Sequence, residues 1–502
     1  MPITKAVASS TKTPGVYLKI DLQGPASNPG TSTLRTLLMA PKGSAGNITA
    51  NTEVRQCFGP VDVATALGGG TPGHLASKRF FRRFPRGRLD VIAPTASAGA
   101  AATGTQTFSG TATENSTLRF YGCGRIIEVS WLNGETAAQF VTRAVAAINQ
   151  VADDLPFTVA ADTADIEYTA KLAGPWGNDV RLFVAVYTGG GGITISANPA
   201  ALTGGTTEPN FTTALATVAT SEYRAIVACL SNADAADTTS SSNAERLANH
   251  ITNLREGNAA RLQVGFVGLN GSTTQAKAGA IDRNNDSFEY SLGRLWDDLP
   301  CEIAAAEAGD ALFWASDRPN YNRIGNVHEL YGPRDVVTNK LTDAEIEDLL
   351  NNGVTPLDVD PLTGARFLVE PITTHSTFGG APDYRAFHLS DTLAMYTVFD
   401  GFRVALKQEF PNANVTADLP QGADELPAGV VELKDIRAFT VNYFRSWVPR
   451  GVVQGARLDQ AIEDDELSVT LDDIDGAQVN IFVPLGIIKP LAKLGVVGSK
   501  VA

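Results

Sequence analysis

His375 is the residue in this chain that most invites a chemical reading. It closes Thr373-Thr374-His375 after a strand-like run from Arg366 to Glu370, and reactive side chains often sit at strand ends. An isolated histidine is more commonly a hydrogen-bonded structural one, and the other four (His74, His250, His328, His388) are equally isolated. Gly68-Gly69-Gly70-Thr71-Pro72-Gly73 matches GxGxxG as a string. It follows a helix-like segment rather than a strand, and Pro72 removes an amide that a pyrophosphate would want. There is no Gly-Lys dipeptide for a Walker loop, no GxSxG elbow and no HExxH. Asp472-Asp473-Ile474-Asp475-Gly476 resembles part of a calcium loop. Setting Gly476 at the required turn puts Leu471 and Phe482 where carboxylates belong, so it is rejected. Cys57, Cys123, Cys229 and Cys301 stand singly, without a CxxC pair, and read as buried, reduced thiols of a cytoplasmically made protein. The expectation is no catalytic residue, no cofactor and no metal.

Two charge clusters remain. Lys78, Arg79, Arg82, Arg83, Arg86 and Arg88 interleave with Phe80, Phe81 and Phe84. Glu463, Asp464, Asp465, Glu466, Asp472, Asp473 and Asp475 form an acidic counterpart. A solvated helix with its phenylalanines inward explains the first cluster. Alternatively the clusters meet across a subunit boundary, where opposite potentials guide association. The candidate intersubunit charges are Arg79, Arg82, Arg83 and Arg86, opposite Asp464, Asp465, Asp472 and Asp473.

The elements that would carry these residues belong to a long, ordinary globular chain. It has 502 residues, 43% apolar and 19% charged, with 40 basic against 54 acidic side chains and a formal charge of −14. That length suggests about three domains, and the acidic balance argues against a nucleic-acid partner. The start, MPITKAVASSTKTPG, offers no apolar signal region. The most apolar stretch, Val479 to Val497, is interrupted by Asn480, Pro484, Gly486, Lys489, Pro490 and Lys493, so no membrane insertion is expected.

Composition changes near residues 96 and 206. Thr31 to Pro94 mixes strand-like runs (Thr33–Met39, Leu89–Ala93) with helical ones (Pro60–Leu67, His74–Phe84). From 97 to 206 the chain turns rich in Ala, Thr and Gly, with seven short alternating runs that read as an antiparallel sandwich or barrel. One helix interrupts them, capped by Thr136 and Gln139, with Phe140, Ala144, Ile148 and Val151 on one face. Beyond 207, the buried-looking strands Tyr223–Leu230 and Gln263–Leu269 alternate with helices Ala244–Leu254, Ala276–Arg283 and Ile303–Phe313, as in an α/β layer with a largely parallel sheet. Thr342 and Glu345 cap another helix. A longer one carries Leu393, Tyr396, Phe399, Phe402, Leu406 and Phe410 up to Pro411.

The termini differ from the rest. Val16, Leu18, Ile20 and Leu22 alternate with Tyr17, Lys19 and Asp21, next to the tether-like stretch Gly24–Gly30. Val479, Ile481 and Val483 alternate near the other end. A tethered strand cannot bury its apolar side alone. It folds back onto its own sheet or completes a neighbour's by strand addition.

Several segments together resemble the contractile tail sheath proteins of myovirus-type, Mu-like bacteriophages. They are Thr13-Pro14-Gly15-Val16-Tyr17, Phe58-Gly59-Pro60 through Ala66-Leu67-Gly68, Gly174-Pro175-Trp176-Gly177-Asn178-Asp179-Val180, Glu370-Pro371-Ile372-Thr373-Thr374, and the block from Tyr443 to Val501. The resemblance implies an α+β multidomain chain: an N-terminal arm (1–30), the N-terminal part of the core domain (31–96), a β-sandwich insert (97–206), a subtilisin-like α/β domain (207–375), a mixed C-terminal core domain (376–476) and a C-terminal strand arm (477–502). It also implies that the strands carrying Val16, Tyr17, Leu18, Ile20 and Leu22, and Val479, Ile481 and Val483, pass between subunits. The implied role is a non-enzymatic virion subunit, assembled in the host cytoplasm. It would form hexameric rings stacked around a tail tube, with tube, baseplate and terminator proteins as partners, and would contract for genome delivery. The alternatives are the sheath of a related contractile machine (an R-type bacteriocin or secretion system) and an α/β enzyme using the glycine-rich loop.

Overall fold

The structure, a computed structural model, describes residues 34–255, 260–417, 429–473 and 478–489. The Val16–Leu22 strand, Gly24–Gly30 and the apolar run Leu494–Val497 lie outside the described residues. The chain is a mixed α/β multidomain protein with several sheets.

The first segment gives β1 (Arg35–Met39), β2 (Val54–Cys57), α1 (Pro60–Leu67), α2 (Pro72–Arg83) and β3 (Arg88–Ile92). The next gives β4 (Ala101–Gly110), β5 (Ser116–Gly122), β6 (Arg125–Trp131), α3 (Ala137–Asn149), β7 (Phe157–Asp162), β8 (Asp165–Ala173), β9 (Leu182–Thr188) and β10 (Ile193–Ala197). Its strands make a four-stranded sheet, β10-β4-β8-β7, and a three-stranded one, β6-β5-β9. Phe108 of the first meets Phe120 of the second at 6.2 Å, and Phe140 of α3 stacks on Trp131 at 4.4 Å. The Thr136–Gln139 capping box forms as the spacing predicts. Val151 falls past the end of α3 and is exposed, so it is not part of that apolar face.

After the insert come α4 (Thr212–Val218), β11 (Ala225–Ala228), α5 (Asn232–Ala236), α6 (Asn243–Arg255), β12 (Val264–Leu269), α7 (Thr273–Arg283), β13 (Phe288–Gly293), α8 (Pro300–Asp317), β14 (Val327–His328), α9 (Val336–Asn339), α10 (Asp343–Asn351), β15 (Thr355–Val359) and β16 (Arg366–Leu368). Nine strands join in the order β14-β16-β15-β13-β12-β11-β1-β3-β2. Segments 31–96 and 207–375 therefore share one sheet, with β1 parallel to both β3 and β11. The central strands are buried throughout, as runs such as AIVA and VGFVGL require. Leu38, Val91, Val227 and Phe266 face one apolar cluster, with α2 and α8. Leu37, Met39, Ile226 and Ala228 face the other, with α4, α6 and α7. The result is a helix–sheet–helix layering.

The last described part holds the hairpin β17 (Thr377–Phe378) and β18 (Ala381–Pro382), α11 (Leu389–Glu409), the parallel pair β19 (Asn414–Thr416) and β20 (Val430–Glu432), α12 (Leu433–Arg445), α13 (Gly455–Glu463) and the antiparallel pair β21 (Ser468–Leu471) and β22 (Val479–Phe482). Phe402 of α11 packs on Tyr443 and Phe444 of α12 at 5.0 and 4.9 Å.

Candidate functional site

The glycine-rich loop is where the insert is seated. Gly70 N–H donates to Nδ1 of His74 at 2.9 Å. His74 accepts as the neutral imidazole, because burial pushes its pKa down to about 4. Lys171 of the insert donates to the carbonyls of Gly69 and Ala152, at 2.8 and 2.7 Å. A Cβ on Gly70 would strike Lys171 Nζ and the Leu155 carbonyl, and its φ of +72° is itself a glycine conformation. The loop's polar groups therefore face protein, where a phosphate cradle would present them to a ligand.

A second seat lies at the carboxyl ends of β11 and β12, the position where open α/β sheets commonly hold ligands. Here the turn Pro175–Asp179 occupies it. Asp179 accepts from Asn232 N–H and Nδ2, both at 2.9 Å, and Asn232 Nδ2 also donates to Asn270 Oδ1 at 2.7 Å. Asn270 Nδ2 donates to the Asp298 carbonyl at 2.8 Å. Desolvation pushes the Asp179 carboxyl up to about 7 against the pull of Asn232. The Gly174–Val180 motif thus locks the insert onto the sheet.

The basic helix divides by direction. Arg79 is buried and gives Nε to Glu302 Oε1 at 2.9 Å, Nη2 to Asp298 Oδ1 at 3.0 Å and Nη1 to the Glu329 carbonyl at 2.8 Å. Arg83 donates to Asp310 Oδ1 at 2.6 Å. Arg79 and Arg83 both turn toward α8, whose carboxylates would otherwise be buried alone. Arg82 is exposed and pairs with Glu329, and Arg86 is exposed. On the acidic side Asp464, Asp465 and Asp473 are exposed, Asp465 meeting Arg437 at 3.0 Å. Asp472 is buried beside its own hairpin, within 3.3 Å of Asn480 Nδ2.

Beneath α2 lies a network the sequence reading missed. Arg323 sits 3.3 Å from Glu307, 3.4 Å from Asp310 and 3.9 Å from Glu289, all buried, while His328 Nε2 lies 3.2 Å from Glu307. Burial pushes the Glu289 and Glu307 carboxyls up, to about 8, despite Arg323. Against the same desolvation, Arg323, His328 and Arg83 hold Asp310 below the ordinary range. His328 itself is pushed down to about 4 by burial. The available signal was Glu307 and Asp310, three apart on an Ala-rich helix whose apolar pattern has no polar face.

His375 Nε2 lies 2.7 Å from Asp383 Oδ2, and Asp383 also takes two hydrogen bonds from Arg385 Nε, at 2.9 and 3.1 Å, and one from Nη2 at 2.9 Å. Arg385 is the main cause that holds the Asp383 carboxyl well below the usual range. The triad orders the loop after β17. Thr373 and Thr374 are buried and bond the carbonyls of Ala386 and Asn285, at 2.6 and 3.0 Å. Cavities beside Cys229 and Cys301 and beside Arg224 and Arg403 measure about 10 and 20 Å³, room for about one water each. Among the described residues no helix is long and apolar enough to cross a membrane, and no cluster of three or more His, Cys, Asp or Glu is placed to hold a metal.

Val479 and Ile481 lie in β22, facing Leu471 and Val469 of β21 across the pair, and Val483 follows just beyond it. Both strands are only partly buried. Val16, Tyr17, Leu18, Ile20 and Leu22 fall outside the described residues.

No sequence family and no curated protein matches this chain. Among solved structures it is similar to a sheath tail protein from Desulfitobacterium hafniense, at 14% identity and a TM-score of 0.46, over 95% of this chain and 100% of that one. It is similar to a sheath tail protein from Listeria innocua at 15% identity and a TM-score of 0.45, over 92% and 93%. The helical sheath of the anti-feeding prophage in its contracted state aligns at 10% identity and a TM-score of 0.47, over 97% and 99%.

Proposed function

We propose that this chain is the structural subunit of a contractile tail sheath. It polymerises as stacked hexameric rings around a tail tube and contracts to drive the tube through a host envelope. The observation that carries the reading is the pair β21–β22: a two-stranded, half-buried sheet, too small to be stable alone, at the junction with the C-terminal arm. Among the described residues its outer edges carry no further strand, and such edges suit strands added from neighbouring subunits. The alternating segment Val16–Leu22 has the pattern such an edge accepts. The sheath-like motifs support the same reading, since Gly174–Val180 seats the insert and Ile372–Thr374 ties the sheet to the loop before α11. In this proposal the insert is a β-sandwich, the nine-stranded unit is subtilisin-like in topology without protease function, and tube, baseplate and terminator proteins are the partners. Contraction draws on free energy stored in the assembly and needs no nucleotide.

Negative-stain electron microscopy of the purified protein tests this. Hollow tubes or stacked rings are expected. Discrete globular particles at every concentration, with tube protein present as a template, would overturn it.

A further inference from the structure

The loop ordered by His375 displays an aromatic surface. Gly379 and Gly380, at φ +59° and +81°, join β17 to β18 in a turn that only such residues make readily, and the turn leaves Phe378 58% exposed. The guanidinium of Arg385 lies 4.7 Å over the Phe378 ring, and Asp383 and His375 fix that guanidinium in turn. Next to it Tyr384, also 58% exposed, meets Phe387 edge-on at 5.6 Å. Three aromatic rings set on a rigid loop are a preformed contact surface.

The chain reaches this surface at a definite point. The tail is anchored first: Gln454 Nε2 donates to the Ile487 carbonyl at 2.8 Å, Asn320 Nδ2 to the Ile488 carbonyl at 3.1 Å, and Ile488 N–H to Val452 at 2.9 Å. Lys489 then places Nζ 3.4 Å from the Tyr384 carbonyl and 3.7 Å from the buried carboxylate of Asp391. Beyond it the sequence continues as PLAKLGVVGSKVA, with Leu491, Leu494, Val496 and Val497 as apolar partners for the rings. That segment starts at the patch, so contact with it needs almost no loop closure.

We propose that Phe378, Tyr384 and Phe387 are the docking site of this chain's own residues 490–502 in the unassembled subunit, which holds the segment until a neighbouring subunit takes it. The hand-over to a neighbour rests on the sheath reading, whereas the docking itself does not. The triad at His375 positions the patch.

Trypsin cleavage after Lys493, followed by mass spectrometry on the intact full-length chain in its unassembled form, reads the docking directly. Replacing Phe378 and Tyr384 together by Ala is expected to speed that cleavage about tenfold, since cleavage tracks the undocked fraction. Thermal unfolding should be unchanged, and wild-type protection should not depend on protein concentration. Equal rates in the two proteins overturn the proposal, and so does protection that grows with concentration, which would mean a second copy's segment. If the double variant fails to fold, Tyr384→Cys paired with Val497→Cys and treated with diamide decides. The two thiols lose two electrons and two protons to diamide. A bridged monomer supports the proposal, whereas a bridged dimer or unbridged chain overturns it.

Discussion

Asp298 and Glu302 are buried with one guanidinium between them, so Arg79 carries more of the fold than its place in a surface-like charge run suggests. Arg79→Ala is expected to cost about 3–5 kcal/mol, because it leaves buried carboxylates uncompensated. Denaturant titration measures it. The neighbouring network gives a pH prediction. Three carboxylates (Glu289, Glu307, Asp310) face two guanidiniums (Arg323, Arg83), so protonation of Glu289 or Glu307 relieves the excess negative charge. Their folded-state pKa lies above the unfolded value near 4.5, so the folded chain binds that proton more tightly. The pair's contribution is fully present below pH 4.5 and is lost as pH rises through about 8. Glu307→Gln should flatten the fall in melting temperature between about pH 5 and 8. An unchanged slope in that variant would place the titration elsewhere.

At the scale of elements, the insert is held at several places, Lys78–Asp154 and Arg334–Leu182 among them, and the glycine loop is the one most sensitive to a single methyl group. Gly70→Ala meets Lys171 and the Leu155 carbonyl and demands a positive φ from an alanine. A loss of about 1–3 kcal/mol is expected from strain of this kind. It should appear as faster amide exchange in β7 and β8 before any change in the nine-stranded sheet. The β21–β22 pair sits at the other extreme of packing, with both four-residue strands only half-buried. Deleting residues 1–22 is expected to leave the circular dichroism spectrum and melting temperature intact while abolishing tubes in the microscope. Long tubes from the truncated chain would refute strand exchange.

For the whole molecule, the proposed assembly requires an acidic chain to make ordered contacts with copies of itself. With Arg79, Arg83 and Asp472 buried or turned inward, the exposed candidates are Arg82 and Arg86 among the bases and Asp464, Asp465 and Asp473 among the acids. Reversing Arg82 and Arg86 to Glu should slow assembly and weaken its dependence on salt, as light scattering at several ionic strengths would record. Assembly with unaltered rate and salt response would remove these charges from the interface. Because Arg82 and Arg86 are exposed and the Arg82–Glu329 pair lies in solvent, the same variant should melt near the wild-type temperature.

Periodicity and capping signals are local, and the sequence determined what depends on them. The Thr136–Gln139 and Thr342–Glu345 boxes, the all-apolar strands β11 and β12 and the long helix α11 all stand where the spacing of residues puts them. The glycine string was legible as a poor phosphate loop because Pro72 is visible in the sequence itself. Tertiary structure alone decided which charged residues face inward, since Arg79 and Arg82 stand three apart on one helix and differ only in what α8 brings opposite them. It also decided that residues before and after the insert share one sheet, a pairing across more than a hundred intervening residues that leaves no local trace. The role of His375 was hidden for the same reason: Asp383, Arg385 and Phe378 give it meaning through space, by hydrogen bonds and ring contacts that only the folded loop creates.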